Sequence, residues 1–240
     1  MHDSRDHLAK STSNLTNRWS NLRNLWLFLF LSSFFLISPL ADRTSAAWLV
    51  INLFMTVSIL LAIYAQSDLW KWIRILFLVV GISAAIVGWL PLEQKKMGFV
   101  ATFLYSVFFA FTFSAYCYKL FTEKNVTSDT LFAAACAYIL LGFLFSTLFV
   151  GIYQIDPSSI QLPDGQSEPM FAMTYFSFVT LTTLGYGDIV PSSNATQMLA
   201  AYEAVFGQIF VTVVVAELVG IHVASGNRTE RAEAPQQEPA

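Results

Sequence analysis

What most constrains this chain is a series of apolar runs long enough to cross a bilayer. A helix needs about 20 largely apolar residues to span the hydrocarbon core. Six segments qualify: 25–40, 46–65, 72–92, 98–118, 130–153 and 198–224. The first is short but extends back through Leu22, and it reads as a retained span. A seventh run, 170–182, has 13 residues, too few to cross, and suits a helix that enters and leaves by one face. Composition agrees. Of 240 residues 55% are apolar and 12% charged, about half the charged share of a soluble domain. The expected fold class is an all-α membrane protein of six transmembrane helices, with a re-entrant helix and loop between the fifth and sixth.

Orientation follows from basic residues. With the N-terminus cytoplasmic, the inside holds Arg5, Lys10, Arg18, Arg23, Lys71, Arg74, Lys119, Lys124, Arg228 and Arg231. The outside holds Arg43, Lys95 and Lys96. Ten against three is a positive-inside bias. It requires an even number of full spans and puts both termini in the cytoplasm of a multi-pass cell-membrane protein. All six Trp (Trp19, Trp26, Trp48, Trp70, Trp72, Trp89) fall near ends of the first three spans, where interfacial aromatic belts sit.

The chain divides into a polar segment 1–24, a four-helix region 25–118, a linker 119–129, a second region 130–224 and a polar, disordered tail 225–240. In the first segment Leu15, Trp19, Leu22 and Trp26 fit either a helix on the inner membrane surface or a flexible tail. From Lys124 to Arg228 there is no Lys or Arg at all. Cys117 and Cys136, in apolar segments without a spacing motif, read as packing residues. No nucleophile–base constellation, metal-ligand cluster, phosphate loop or basic cluster is present. The expectation is therefore a non-enzyme without cofactor or nucleic-acid partner.

The unusual stretch is FVTLTTLGYGDIVP, residues 178–191, polar and Gly-bearing between two apolar runs. In hydrocarbon every backbone N–H and C=O needs a partner, so non-helical backbone survives only inside protein or along a wet cavity. Residues 183–187 must therefore line something aqueous. Gly185 and Gly187 reach backbone conformations closed to other residues. Alternated with Leu184 and Tyr186, they let successive carbonyls point the same way. One such strand offers a column of oxygens; several copies around an axis offer rings that replace a cation's hydration shell.

TLTTLGYGD resembles the signature of potassium channels, whose filter reads TVGYG; Leu184 stands where that motif has Val. The resemblance covers 130–224 and implies a pore domain: an outer helix, a pore helix 170–182, a filter 183–187 and an inner helix 198–224. It implies a homotetramer in the lipid bilayer, with potassium as permeant ligand held by Thr183, Leu184, Gly185 and Tyr186. Gly187 closes the filter, and Asp188 matches the acidic residue just outside it. Gly207 matches the inner-helix hinge glycine; read from the sequence alone, a mid-span glycine serves a bend or close helix packing equally well. Glu203 resembles an acidic residue seen near the start of this last span. Family analogy gives Gln208, Val211, Val215 and Val219 as the pore-lining stripe.

Departures from the family pattern concern support of the filter, assigned to Tyr175, Phe176, Val179, Thr182 and Asp188. Tyr175 and Phe176 stand where many members have Trp-Trp. Phe176 has no donor for Tyr186, whereas the Tyr175 hydroxyl is expected to reach Asp188. Val179 replaces a Glu of some members, which excludes a carboxyl pair with Asp188.

The six-span layout resembles the voltage-gated class, but voltage sensing takes about three to four gating charges per subunit. The fourth span, 98–118, contains no Arg or Lys, and the second, 46–65, no acidic counter-charge. Arg74 reads as a snorkelling anchor. An Arg-array sensor is therefore rejected, and the short tail leaves no room for a nucleotide-binding gating ring. Glu217 fits either a polar contact with a neighbouring helix or a ring of carboxylates at the inner mouth. His222 falls on the stripe near the cytoplasm and reads as an interfacial residue, with pH sensing as the alternative. The expected function is passive, potassium-selective conduction without an arginine sensor, by an unidentified gating stimulus or partner. The alternatives are a weakly selective cation channel and a regulatory membrane subunit that does not conduct alone.

Overall fold

The structure is a computed structural model describing residues 23–41, 47–65, 71–89, 94–122, 127–163 and 169–233. The surface-helix expectation for Leu15, Trp19 and Leu22, and the end of the tail, lie outside these residues, as do the side chains of Arg74 and His222. Among the described residues the chain is almost entirely helical. The helices are α1 (Arg23–Ala41), α2 (Ala47–Ala65), α3 (Lys71–Trp89), α4 (Gln94–Thr122), α5 (Ser128–Ile155), α6 (Pro169–Leu181) and α7 (Asn194–Glu233). A 3₁₀ turn, Pro157–Ser159, precedes a short strand β1 (Ile160–Gln161), which pairs antiparallel with β2 (Val190–Pro191).

Three of these helices are long and apolar enough to cross a membrane, over Gly98–Thr122, Ser128–Ile155 and Asn194–Gly220. Helices α1, α2 and α3 have 19 residues each, about 28 Å at the helical rise and close to the bilayer core thickness. Their described apolar stretches are shorter, Arg23–Ser38, Leu49–Ala65 and Phe77–Trp89. Helix α6 has 13 residues, about 20 Å, and cannot cross. Two boundaries differ from those expected. Helices α4 and α5 extend into the expected linker, to Thr122 and from Ser128. Helix α7 continues past 224 to Glu233, so the described part of the expected disordered tail is helical. Polarity ends an apolar stretch without ending its helix: residues 225–233 are mostly polar but contain no proline.

Helix α5 is the centre of the fold, packing against α1, α4, α6 and α7. Its start is fixed by Thr127, whose hydroxyl accepts from the Thr130 backbone N–H while Thr130 Oγ1 accepts from the Thr127 N–H. That arrangement satisfies two donors a helix N-terminus leaves open. Phe143, fully buried on α5, gathers rings from four other helices. Its ring centroid lies 5.2 Å from Phe34, 5.8 Å from Phe54, 5.7 Å from Phe109 and 5.6 Å from Phe178. Lipid tails are as apolar as these rings, so what holds the helices is packing contact and hydrogen bonding rather than escape from water.

Polar ties join the first helices to the second region. Asn24 is buried at the start of α1. Its Nδ2 donates to Asp129 Oδ2 at 2.7 Å, and its Oδ1 accepts from the Tyr116 hydroxyl at 2.9 Å. Lys119 pairs with the same Asp129 oxygen at 3.3 Å. Four side chains from α1, α4 and α5 thus form one closed network. Replacing Asn24 by Ala strands the Tyr116 hydroxyl and leaves Asp129 Oδ2 with Lys119 alone; the expected loss is about 1–3 kcal/mol, read as a lower unfolding temperature of the detergent-solubilised protein.

Candidate functional site

Helix α6 is held on two sides. On the α5 side, the Ser177 hydroxyl lies 2.7 Å from the Gly142 carbonyl, and Ser146 and Thr174 hydroxyls meet at 2.7 Å. The Tyr138 hydroxyl donates to the Leu181 carbonyl at 3.3 Å. The Phe178 ring lies where a Cβ on residue 142 would stand, so Gly142 is what lets α6 approach. Phe176 is buried and packs edge-on against Phe149 with centroids 4.9 Å apart. On the α7 side, Ser177 meets Glu203 Oε1 at 2.5 Å.

The end of α6 sets up the segment that follows. The Thr183 N–H donates to the Thr180 carbonyl at 2.9 Å and the Leu184 N–H to the Val179 carbonyl at 2.9 Å. Thr183 has φ 59°. This is the Schellman way of stopping a helix, with Thr at the left-handed position that usually takes Gly. A β-branched residue there is strained. Val179 O also accepts from the Gly185 N–H at 3.3 Å, and Thr182 Oγ1 donates to the Phe178 carbonyl at 2.6 Å. Val179 thus braces the expected filter through its backbone oxygen, where its side chain has nothing to offer.

Beyond Thr183 the left-handed conformation recurs at every second residue, Gly185 (φ 57°) and Gly187 (φ 77°), with Leu184 and Tyr186 between them at negative φ. Alternating hands of this kind are the backbone pattern that the expected carbonyl alignment requires. Residues 182–188 are all exposed in the single chain, Leu184 by 55% and Tyr186 by 66%. No Cβ built on Gly185 or Gly187 meets another atom, so it is backbone conformation that requires Gly at both.

The outer end is pinned at both flanks. The Tyr175 hydroxyl donates to Asp188 Oδ2 at 2.7 Å, the contact expected, and Asp188 Oδ1 accepts from the Ile189 N–H. The Ser159 carbonyl takes three donors, Ser192 N–H, Ser193 N–H and Thr196 Oγ1, the last at 2.8 Å. Ser193 in turn caps α7, its Oγ accepting from the Thr196 N–H.

On α7, Gln208, Val211, Val215, Val219 and Glu217 are exposed in the single chain. Gly207, the position matched to the hinge glycine, lies where α7 packs on α6. The helix runs through it without a break, and a Cβ there would lie 2.6 Å from Leu181 Cδ1 and 2.9 Å from the Leu181 carbonyl oxygen. The contact is close helix packing at the foot of α6. The sequence reading passed over Ser177, Gly142, Tyr138 and Ser159, and left Glu203 at a resemblance. A lone carboxyl inside an apolar span marks an intramembrane site by default, and hydroxyls on a re-entrant helix carry the same signal.

Gly207 and Gly220 form a matched pair. Gly207→Ala meets backbone oxygen and is expected to cost about 1–3 kcal/mol. Gly220, whose added Cβ meets nothing, is expected to gain up to about 1 kcal/mol as Ala. Thermal unfolding in detergent compares them; equal stabilisation of both would contradict the packing role.

Residues 163–223 match the family described as Ion channel (Ion_trans_2). The A-type voltage-gated potassium channel KCND3 of Rattus norvegicus is 25% identical over 212 residues, covering 81% of this chain and 31% of the relative. Two-pore potassium channel 2 of Arabidopsis thaliana is 29% identical over 98 residues, 41% of this chain and 21% of the relative. Two pore potassium channel a of Oryza sativa subsp. japonica is 31% identical over 75 residues, 31% of this chain and 22% of the relative. The chain spans less than a third of the length of each. The match over α6 and α7 is to an ion-channel family, and the relatives that the chain resembles are potassium channels.

Proposed function

We propose that the chain is one subunit of a homotetrameric, potassium-selective channel whose filter is residues 183–187. The observation that carries this reading is the alternation of left-handed backbone at Thr183, Gly185 and Gly187 in a segment exposed on every residue. Non-helical backbone has no place against lipid, so the exposed segment calls for companions. Four copies around an axis give rings of carbonyl oxygens from Thr183, Leu184, Gly185 and Tyr186 that stand in for an ion's water. Potassium channels among the relatives point to the same ion.

In this reading α1 to α5 and α7 cross the cell membrane, α6 is the re-entrant pore helix, and both termini are cytoplasmic. The C-terminus of α6 directs its negative dipole end toward the cavity and favours a cation there. Gln208, Val211, Val215 and Val219 face the conduction path below the filter. Conduction is passive. Ions occupy neighbouring sites, and their repulsion moves them on. No arginine array gates the pore, since 98–118 carries no Lys or Arg.

A second reading, a weakly selective cation channel, draws on one observation. Phe176 offers no donor and Val179 no carboxyl, which leaves Tyr175–Asp188 as the side-chain hydrogen bond bracing the outer end of the filter. Purified protein in liposomes decides between conduction and its absence. Down a potassium gradient, potassium flux is expected for the wild type and at least tenfold less for Gly185→Ala, because a left-handed φ strains any Cβ-bearing residue. Flux unchanged by Gly185→Ala would contradict the assignment of the filter.

A further inference from the structure

Glu203 lies on α7 against Ser177 of the pore helix, and none of it is exposed. Its two oxygens are unequal. Oε1 meets Ser177 Oγ at 2.5 Å, whereas Oε2 is buried with no hydrogen-bond partner. The Ser177 oxygen also lies 2.7 Å from the Gly142 carbonyl oxygen. A serine hydroxyl carries one proton, yet here it faces two oxygens at hydrogen-bond distance. The Gly142 carbonyl can only accept. If Ser177 gives it the proton, the contact with Glu203 needs a proton from the carboxyl. If Ser177 gives its proton to Glu203 instead, two bare oxygens are left 2.7 Å apart.

Charge leads the same way. No Lys or Arg occurs between Lys124 and Arg228. A carboxylate with one wholly unpartnered oxygen, out of water and without a cation, is among the costliest groups to bury. The neutral acid carries only the smaller cost of one unpaired carbonyl-type oxygen. Tyr138, the titratable neighbour on α5, has its hydroxyl engaged with the Leu181 carbonyl.

We propose that Glu203 is held as the neutral, protonated acid and acts as a positioning residue, donating through Ser177 to the Gly142 carbonyl to fix the pore helix behind the filter. The relay runs Glu203 Oε1–H to Ser177 Oγ–H to Gly142 C=O and joins the inner, pore and outer helices in one line. Ser177 lies two residues before Val179, whose carbonyl receives the Leu184 and Gly185 N–H groups. A shift of α6 at Ser177 therefore moves the backbone that orients the filter. The role of positioning residue rests on the channel reading; the protonation does not.

Two measurements test it. Infrared spectra of purified wild type and Glu203→Gln, subtracted, are expected to show the carbonyl-stretch band of a protonated carboxylic acid in the wild type. Carboxylate bands in its place would overturn the proposal. In liposomes, Glu203→Gln keeps a donor toward Ser177 and is expected to hold the potassium-to-sodium permeability ratio within about twofold of wild type. Ser177→Ala and Glu203→Ala break the relay and are expected to lower that ratio roughly fivefold or more, the scale of one hydrogen bond. Loss of selectivity in Glu203→Gln equal to that in Glu203→Ala would overturn the positioning role. Should Glu203→Ala fail to fold, the infrared difference and the Gln and Ser177→Ala ratios still decide. A wild type that passes no ions would refute the channel reading, while the infrared band continues to report on Glu203 alone.

Discussion

Everything in this molecule follows from the scarcity of hydrogen-bond partners in hydrocarbon. Helices meet that constraint by pairing their own backbone, which is why almost every described residue is helical. A marked exception is 182–188, where the chain leaves α6 and every residue is exposed in the single chain. The departure is managed rather than abrupt. Val179 O takes the N–H groups of both Leu184 and Gly185, so the donors at the base of the segment are spent on the helix end. In the proposed tetramer the carbonyls of this segment are what would face the ions.

The scaffold serves to keep that segment still. Helix α6 is too short to be stable against lipid by itself, so it is clamped between α5 and α7 by serine and threonine hydroxyls and by glycines that remove volume. Gly142 admits the Phe178 ring, and Gly207 admits Leu181. Polar contacts of this kind are individually modest in membranes, but here they converge on one helix turn, Thr174 to Ser177, and on its C-terminal carbonyls. Further out, Ser159 ties the end of the loop to the start of α7 through three hydrogen bonds. Helices α1, α2 and α4 reach this clamp through Phe143 and α1 and α4 also through the Asn24–Asp129–Tyr116 network, so a disturbance of α1 is transmitted to α5 by direct contact.

Much of this was legible in the residues. Apolar run lengths located the helices, and the 13-residue run 170–182 returns as the 13-residue helix α6. The Gly-x-Gly spacing told which positions would be left-handed, with one omission: Thr183 shares their conformation although its type argues against it. Local propensity could not reveal that, because the Schellman bonds to Val179 and Thr180 impose it. The Tyr175–Asp188 bond was readable because its partners are close in sequence, one on α6 and the other on the loop that follows it. The Ser177–Glu203 contact was not, since it joins residues 26 apart whose meeting depends on how α7 returns under α6. Gly207 shows the same limit. A mid-span glycine is silent about whether it bends or packs, and only the position of Leu181 distinguishes the two. Polarity misled at the C-terminal end, where α7 outlasts its apolar stretch.

The account stands on backbone oxygens of 183–187 replacing the hydration shell of potassium in particular. Its most direct test is the reversal potential of the purified chain in a planar bilayer, with potassium on one side and sodium on the other at equal concentration. A reversal potential driven far toward the potassium equilibrium value is the predicted result. One that stays near zero while current flows would contradict it, and would mean that the oxygens of this loop do not select the ion.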